Sequence, residues 1–454
     1  GDAALAGCVV LVIDDDPSLR ETLGDVLHHW GCTAVAAEDV QDALATLASR
    51  QLVPDLIVAD YRLRHQVTGI EAIAAVRQAL GRQVPAAILT GDTAIGTRER
   101  IAASGLLCAR GDSPGAVSEA LWAGECSAGN YTLGERSFPY FALPLTETDW
   151  LLRAEYAIRQ VSAQLGPLGA EIPLFVASSS FQIGNFEQQG APFAMPIGSA
   201  SFSRQIAEWM GLQGARHSFS NACVSGFSAL DAARTLIGAG LIDEAIVVGI
   251  ELANASTLAG FAAMELLSPD LCRPLDARRD GLVLGEAVAA IRLSATPSRW
   301  KIAGQASGLD GYSTTGPDPE GGPIARVMAD CLHDAQLTAH DIELIKLQAA
   351  GSPGTDLAEA KALRQVFVGL LPPLLSLKPA LGHTLGASGI AELVALLACL
   401  DAERLPATAN FRDADADIGL APTTVRRTAH IHRALLNLIG FGGGLASLIV
   451  ERNG

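Results

Sequence analysis

Residues 220–240 read SNACVSGFSALDAARTLIGAG, and an apolar run, EAIVVGIE (Glu244–Glu251), follows them. Small and apolar side chains recurring through the segment predict a closely packed helix, and the run after it predicts a buried strand. Cys223 falls just before the helix. There the positive end of the helix dipole lowers a thiol's pKa and makes it nucleophilic near neutral pH. Gly226 lets the turn tighten, so that backbone N–H groups can face a bound carbonyl. A lone cysteine in such a place is ordinarily a structural thiol, so the weight falls on what accompanies it.

Two stretches further on accompany it. SLKPALGHTLGASGIAE (Ser376–Glu392) joins Lys378 to His383 on a glycine-bracketed turn ahead of another predicted helix. NLIGFGGGLASLIV (Asn437–Val450) is a glycine-rich loop around Phe441 that leads into an apolar strand. A phosphate-binding loop would need a Lys and a Ser or Thr after its glycines, and both are absent here. The loop is read instead as bordering a pocket with its amides and with Phe441.

Two more motifs lie in order with these, CRPLDARRDGLVLGEAVA (Cys272–Ala289) and LDGYSTTGPDPEGG (Leu309–Gly322). The set resembles the thiolase-fold β-ketoacyl synthases, over roughly residues 101–454. The resemblance implies that Cys223 is the acyl-accepting nucleophile and that His383 polarises the incoming thioester and stabilises the enolate left by decarboxylation. It implies that Lys378 supports that electrostatic environment. Phe441 would act as a gate, its amide and that of Cys223 forming an oxyanion hole. Arg279, Asp280 and Glu286 read as buried structural ion-pair residues. The implied activity is acyl transfer from acyl-carrier-protein thioesters in fatty-acid or polyketide/polyene-type chain elongation. The implied partners are the acyl carrier protein and a second ketosynthase subunit, in a homodimer or heterodimer, and no cofactor is implied for this part of the chain.

One departure bears directly on activity. Active members carry a second His, and the corresponding stretch here is QAAGSPGTDLAE (Gln348–Glu359), with Ala350 where that His belongs. Losing one oxyanion-type donor costs on the order of 10²–10³ in rate. Condensation is therefore expected to be weak, while Cys223 keeps what it needs to accept an acyl group. Gly444 and Leu445 also depart from the family's usual Thr-Asn. An alternative from another class follows, a non-catalytic chain-length-factor-like subunit that pairs with a complete ketosynthase.

The first hundred residues repeat a different pattern. The apolar runs VVLVI (Val9–Ile13), DLIVAD (Asp55–Asp60) and VPAAILTGD (Val84–Asp92) alternate with amphipathic stretches over Ser18–Trp30, Val40–Ser49 and Gly69–Leu80. Such alternation predicts a doubly wound parallel sheet, whose chemistry gathers at the strands' carboxyl ends. Those ends carry Asp14, Asp15, Asp60 and Thr90. Carboxylates converging on one edge suit a hard divalent cation such as Mg²⁺. IDDDP, DLIVADYRLRHQVTGIEAI and ILTGDT resemble the response-regulator receiver family over roughly residues 7–107. That resemblance implies Asp60 as phosphoacceptor, Asp14, Asp15 and Asp60 as Mg²⁺ ligands, Thr90 as switch hydroxyl and a histidine kinase as partner. It opens a third reading, a signalling protein in which the receiver regulates the larger part. The family's phosphoryl-gripping Lys is missing. The local sequence is LLCARGD (Leu106–Asp112), and no Lys precedes residue 301. Arg110 supplies charge, but its planar fork is not equivalent to an ammonium.

Composition sets the remaining bounds. Of 454 residues, 49% are apolar and 18% charged, which provides for sizeable cores and excludes a disordered or fibrous chain. A net charge of -17 argues against nucleic acid as a partner. The eight cysteines are scattered without metal-ligand spacing, no apolar stretch reaches membrane-spanning length, and the expected compartment is the cytoplasm. The predicted architecture is α/β throughout. A receiver-like domain over 1–105, a doubly wound parallel sheet, precedes a thiolase-like layered α/β/α/β/α domain over 106–454.

Overall fold

A computed structural model describes residues 7–60, 63, 69–89, 100–190, 199–296, 298–369 and 371–453. The chain divides into two compact units, Gly1–Ala94 and Ile95–Gly454.

In the smaller unit, four strands run parallel in the order Thr33–Ala37, Val9–Ile13, Leu56–Asp60 and Ala86–Leu89. The helices Pro17–His29, Val40–Arg50 and Gly69–Leu80 connect or flank them. Leu11 and Ile13 face one apolar layer with Ala43, Leu47 and Val76, while Val10 and Val12 face another with Leu27 and Cys32. Both faces of the strand are covered, which is why its sequence is continuously apolar instead of alternating.

The expected boundary at residue 105 is corrected by the strand Arg100–Cys108. It does not complete the receiver-like sheet. It pairs antiparallel with Ala287–Ser294, from Cys108 opposite Ala287 to Arg100 opposite Ser294, inside the larger unit. Its apolar second half, GLLC, is long enough to span that deep core, where Leu106, Leu107 and Cys108 are fully buried.

Among the described residues, the larger unit holds a ten-stranded sheet made of two similar halves. One half runs Arg216–Phe219, Leu174–Ala177, Glu244–Glu251, Ala287–Ser294 and Arg100–Cys108. The other runs Leu374–Leu375, Leu344–Lys346, Arg433–Ile439, Gly444–Arg452 and Trp300–Leu309. In each, the first three strands are parallel and the fourth runs antiparallel to both of its neighbours. Alternate residues of each strand enter different cores. Val248 packs outward with the helices Trp150–Gln164 and Ser199–Met210, and Leu435 outward with Gly322–Asp334 and Pro353–Val366. Val247 and Leu436 face inward onto the helices Ser225–Gly238 and Ser388–Asp401. The result is the five-layered α/β/α/β/α arrangement.

The two central helices touch at their amino ends through glycines. A Cβ added to Gly226 would lie 3.3 Å from the Cα of Gly389, and one added to Gly389 would lie 2.9 Å from the Phe227 ring. The approach is close because those side chains are absent. Each helix is preceded by a non-glycine residue in left-handed conformation three positions before its start, Ala222 (φ 44°) and Leu385 (φ 47°). These paired tight turns bring the segments before the helices to one place.

Candidate active site

Cys223 occupies the turn before the Ser225–Gly238 helix and is 5% exposed. The backbone N–H groups of Phe441 and of Cys223 itself act on the thiol to lower its pKa. The Phe441 loop comes this close because residue 440 is glycine, whose added Cβ would sit 3.3 Å from the Cys223 nitrogen. The expectation of a lowered thiol pKa is corrected. Burial pushes the thiol up to about 11, outweighing the Lys378 charge and the two N–H groups, while Glu251 adds to the rise. Glu251 is itself held by Ser179, Ser180 and the Gly386 N–H.

His383 lies on the matching turn before the Ser388–Asp401 helix. Its backbone N–H donates to Val283 O at 2.7 Å and its carbonyl accepts from Gly285 at 3.1 Å. The ring Nδ1 receives the Leu385 N–H at 3.2 Å and sits 3.1 Å from Ser388 Oγ. A backbone N–H only donates, so Nδ1 is the unprotonated nitrogen and Nε2 carries the hydrogen. Burial, with the Lys378 charge second, holds the ring at about 3. His383 is a neutral hydrogen-bond donor at ordinary pH.

Lys378 stands behind this site, wholly buried. Its Nζ pairs with Glu392 Oε1, and the other carboxylate oxygen takes Lys346 Nζ at 2.7 Å. Two ammonium groups thus share one carboxylate. Burial pushes Lys346 down to about 8, and the two lysines hold Glu392 at about 2 against its own burial.

The Gln348–Gly351 segment is firmly held. Asp356 Oδ1 accepts from Ala350 and its Oδ2 from Gly351, each at 3.1 Å, while Glu359 accepts from Gln348 and Ala349 at 2.8 Å. Burial raises Asp356 to about 7.

Cys223, His383, Ala350 and Phe441 line one cavity of about 40 Å³, so three of the four predicted catalytic residues meet there. Lys378 does not line it. Phe441 stacks on Phe261 with ring centres 5.4 Å apart, at the edge of this space. Gly443 and Asp310 close the loop from behind, with Asp310 N–H donating to Gly443 O at 2.8 Å. Asp310 in turn accepts from Tyr312 and Asp318, which anchors the 310–318 segment. Glu286 forms the expected buried ion pair, with Arg153 at 2.7 Å, and Arg279 pairs with Asp415. Asp280 forms the expected ion pair, with Arg273 at 3.6 Å, but the expectation of burial is corrected. Its side chain is 43% exposed and accepts from Ser268 Oγ.

Gln348 is a residue that motif reading passed over. It is 3% exposed and lines the same cavity. The signal was available in the spacing, since Lys346, Gln348 and Ala350 alternate along an extended segment and so share a face.

In the smaller unit, the register of Ile13 with Ala59 places Asp14 and Asp60 next to each other at the carboxyl edge. Asp14 is buried and accepts from Asp16 N–H at 2.8 Å. Carboxylates are the right donors for Mg²⁺, but no group of three or more His, Cys, Asp or Glu side chains is gathered as a metal site among the described residues. Thr90 lies outside the described residues. Arg110 belongs to the larger unit, where it donates to Ala380 O and Ser127 O and covers the Phe141 ring. It braces the turn that carries Lys378.

The layered fold and a cavity shared by a thiol and an imidazole define a condensing-enzyme scaffold. The chain belongs to the β-ketoacyl synthase family. The N-terminal domain model of β-ketoacyl synthases matches residues 169–297 and the C-terminal domain model 300–412. A response regulator receiver domain model matches residues 10–107, the last part of which forms the Arg100–Cys108 strand of the larger unit. The 3-oxoacyl-[acyl-carrier-protein] synthase 2 of Vibrio cholerae is 30% identical over 58% of this chain and 68% of its own length. That of Mycobacterium leprae is 33% identical over 49% of this chain, and nodulation protein E of a Rhizobium species 30% identical over 56%. The chain spans 57% and 64% of the length of those two. Among solved structures, a ketosynthase (ApeO) in complex with its chain length factor (ApeC) from Xenorhabdus doucetiae aligns with TM-score 0.68. That alignment has 26% identity and covers 79% of this chain and 98% of that one. A type II polyketide acyl-carrier protein in complex with its ketosynthase aligns at TM-score 0.68 and 20% identity, a likeness of fold.

Proposed function

We propose that this protein is a Cys-dependent acyltransferase of the β-ketoacyl-ACP synthase type, acting on acyl-carrier-protein thioesters in fatty-acid or polyketide-type chain elongation. One observation carries the reading. Cys223, His383 and Phe441 line one cavity, and the backbone N–H groups of Phe441 and Cys223 act on the thiol there. Attack of Sγ on the acyl carbonyl forms the S–C bond, and the carbonyl oxygen takes up negative charge beside these two donors. Collapse breaks the bond to the carrier's sulfur, which leaves with the proton given up by the thiol. For elongation, a malonyl thioester loses CO₂ and the bonding pair enters an enolate. The oxygen of that enolate faces Nε2–H of His383. The enolate carbon then attacks the acyl-Cys, and the released thiolate takes a proton from water.

Ala350 favours a second reading, a chain-length-factor-like subunit in a heterodimer with a complete ketosynthase. Incubation with hexanoyl-loaded bacterial carrier protein followed by peptide mass spectrometry separates the two. An acyl adduct on Cys223, lost in Cys223→Ala, is the expected result. An unmodified Cys223 overturns the enzyme reading and leaves the partner-subunit one. Among the described residues no helix is long and apolar enough to cross a membrane.

A further inference from the structure

The Oε1 atom of Gln348 is buried and finds no hydrogen-bond partner among the described residues. Leaving such an atom unpaired is destabilising. The Gln348 backbone is not free to relieve it, because its N–H and that of Ala349 are both held by Glu359. Glu359 is fixed in turn by Asn437 Nδ2 at 2.7 Å. The carboxamide is therefore kept at the wall of the cavity shared by Cys223 and His383, two residues before Ala350. The oxygen and nitrogen of an amide exchange places by rotation about the last side-chain bond, so the same position can present either an acceptor or an N–H donor.

We infer that Gln348 donates a hydrogen bond from Nε2 to the thioester oxygen of the extender unit, doing part of the work of the imidazole absent at position 350. The inference rests on the enzyme reading above. With the amide turned so that Nε2 takes the unpaired position, a bound carbonyl accepts its N–H, and the bond strengthens as decarboxylation moves charge onto that oxygen. His383 Nε2–H supplies the other donor. Gln348 transfers no proton. The electron pair released from the C–CO₂ bond resides on the enolate and then forms the new carbon–carbon bond.

The test measures release of labelled CO₂ from malonyl-loaded carrier protein, alongside Cys223 acylation of the wild-type protein. Gln348→Met keeps length and burial but removes the donor. It is expected to release CO₂ more slowly by on the order of 10²-fold, with a thermal midpoint no lower than wild type because an unpaired polar group has gone. Gln348→Glu adds a signature that a structural role would not produce. Its protonated acid donates and its carboxylate does not, so CO₂ release falls as pH rises through the pKa of that Glu. Release at the wild-type rate by Gln348→Met, or a Gln348→Glu pH profile matching wild type, overturns the inference. So does a wild-type protein that acylates Cys223 yet releases no CO₂ above a Cys223-blocked control. Failure of wild-type Cys223 to acylate overturns the enzyme reading itself.

Discussion

The Leu385 N–H donates to Nδ1 of His383 at 3.2 Å, and this one bond decides what the imidazole can do. It places the ring hydrogen on Nε2 and makes His383 a donor toward the cavity. The donor is supplied by a residue in left-handed conformation, three positions before the helix that meets the other central helix at Gly389.

Holding a neutral imidazole has a cost at low pH. The folded-state pKa of His383 is lowered to about 3, against an unfolded value near 6.5. Below pH 6.5 the unfolded chain takes up a proton that the folded one refuses, so stability falls as pH drops toward 3 and levels off beneath it. The limiting slope is about 1.4 kcal/mol per pH unit. His383→Gln is expected to show a shallower loss of unfolding free energy between pH 6.5 and 4 in urea titrations. Equal slopes for variant and wild type would refute the neutral assignment.

The Cys223 thiol, pushed up to about 11, is expected to react with iodoacetamide at a rate that keeps rising beyond pH 9. Lys378 is the largest influence opposing the burial. Lys378→Met therefore moves the curve to still higher pH. A wild-type plateau by pH 8 would show that the resting cavity is less shielded than its packing indicates.

The two lysines on Glu392 make its substitutions unequal. Glu392→Gln leaves two buried ammonium groups without a counter-charge, and a loss of about 3–5 kcal/mol is expected. Lys346→Met leaves one balanced Lys378–Glu392 pair, and less than about half that loss is expected. Chemical denaturation of the two variants measures the difference, and equal losses would contradict the shared-carboxylate arrangement.

Gly442 and Gly443 have similar backbone angles, φ 75° and 80°, but different surroundings. A Cβ on Gly442 meets nothing within 4 Å, whereas one on Gly443 would fall 1.9 Å from Asp310 O. Gly442→Ala should cost only the left-handed penalty, about 1–2 kcal/mol. Gly443→Ala must also push the 310–318 segment away, so it should cost clearly more and reduce Cys223 acylation. Calorimetry of the pair with an acylation assay distinguishes the cases.

Much of this was legible in the residues. Cys223, His383 and Phe441 stood out because small-residue helices and glycine loops leave marks in one dimension, and all three line one cavity. Gln348 and Lys346 left a fainter mark, an alternation along an extended segment that acquires meaning only when the facing wall is known. Asp280 matched its motif yet lies half-exposed, because a motif specifies residue type and order but not which side of a turn faces solvent.

The sequence by itself determined the kind of local structure along the chain and the chemical groups available, since periodicity, turn residues and side-chain chemistry are local properties. Only the tertiary structure decided where the Arg100–Cys108 strand belongs. An apolar run of that length suits either sheet, and the neighbours it pairs with are distant in sequence. Tertiary structure also set the protonation of the site. Position before a helix predicts an acidified thiol, but the desolvation that raises Cys223 and keeps His383 neutral comes from layers packed around them, with charges on Lys378, Lys346 and Glu392 brought in from separate elements.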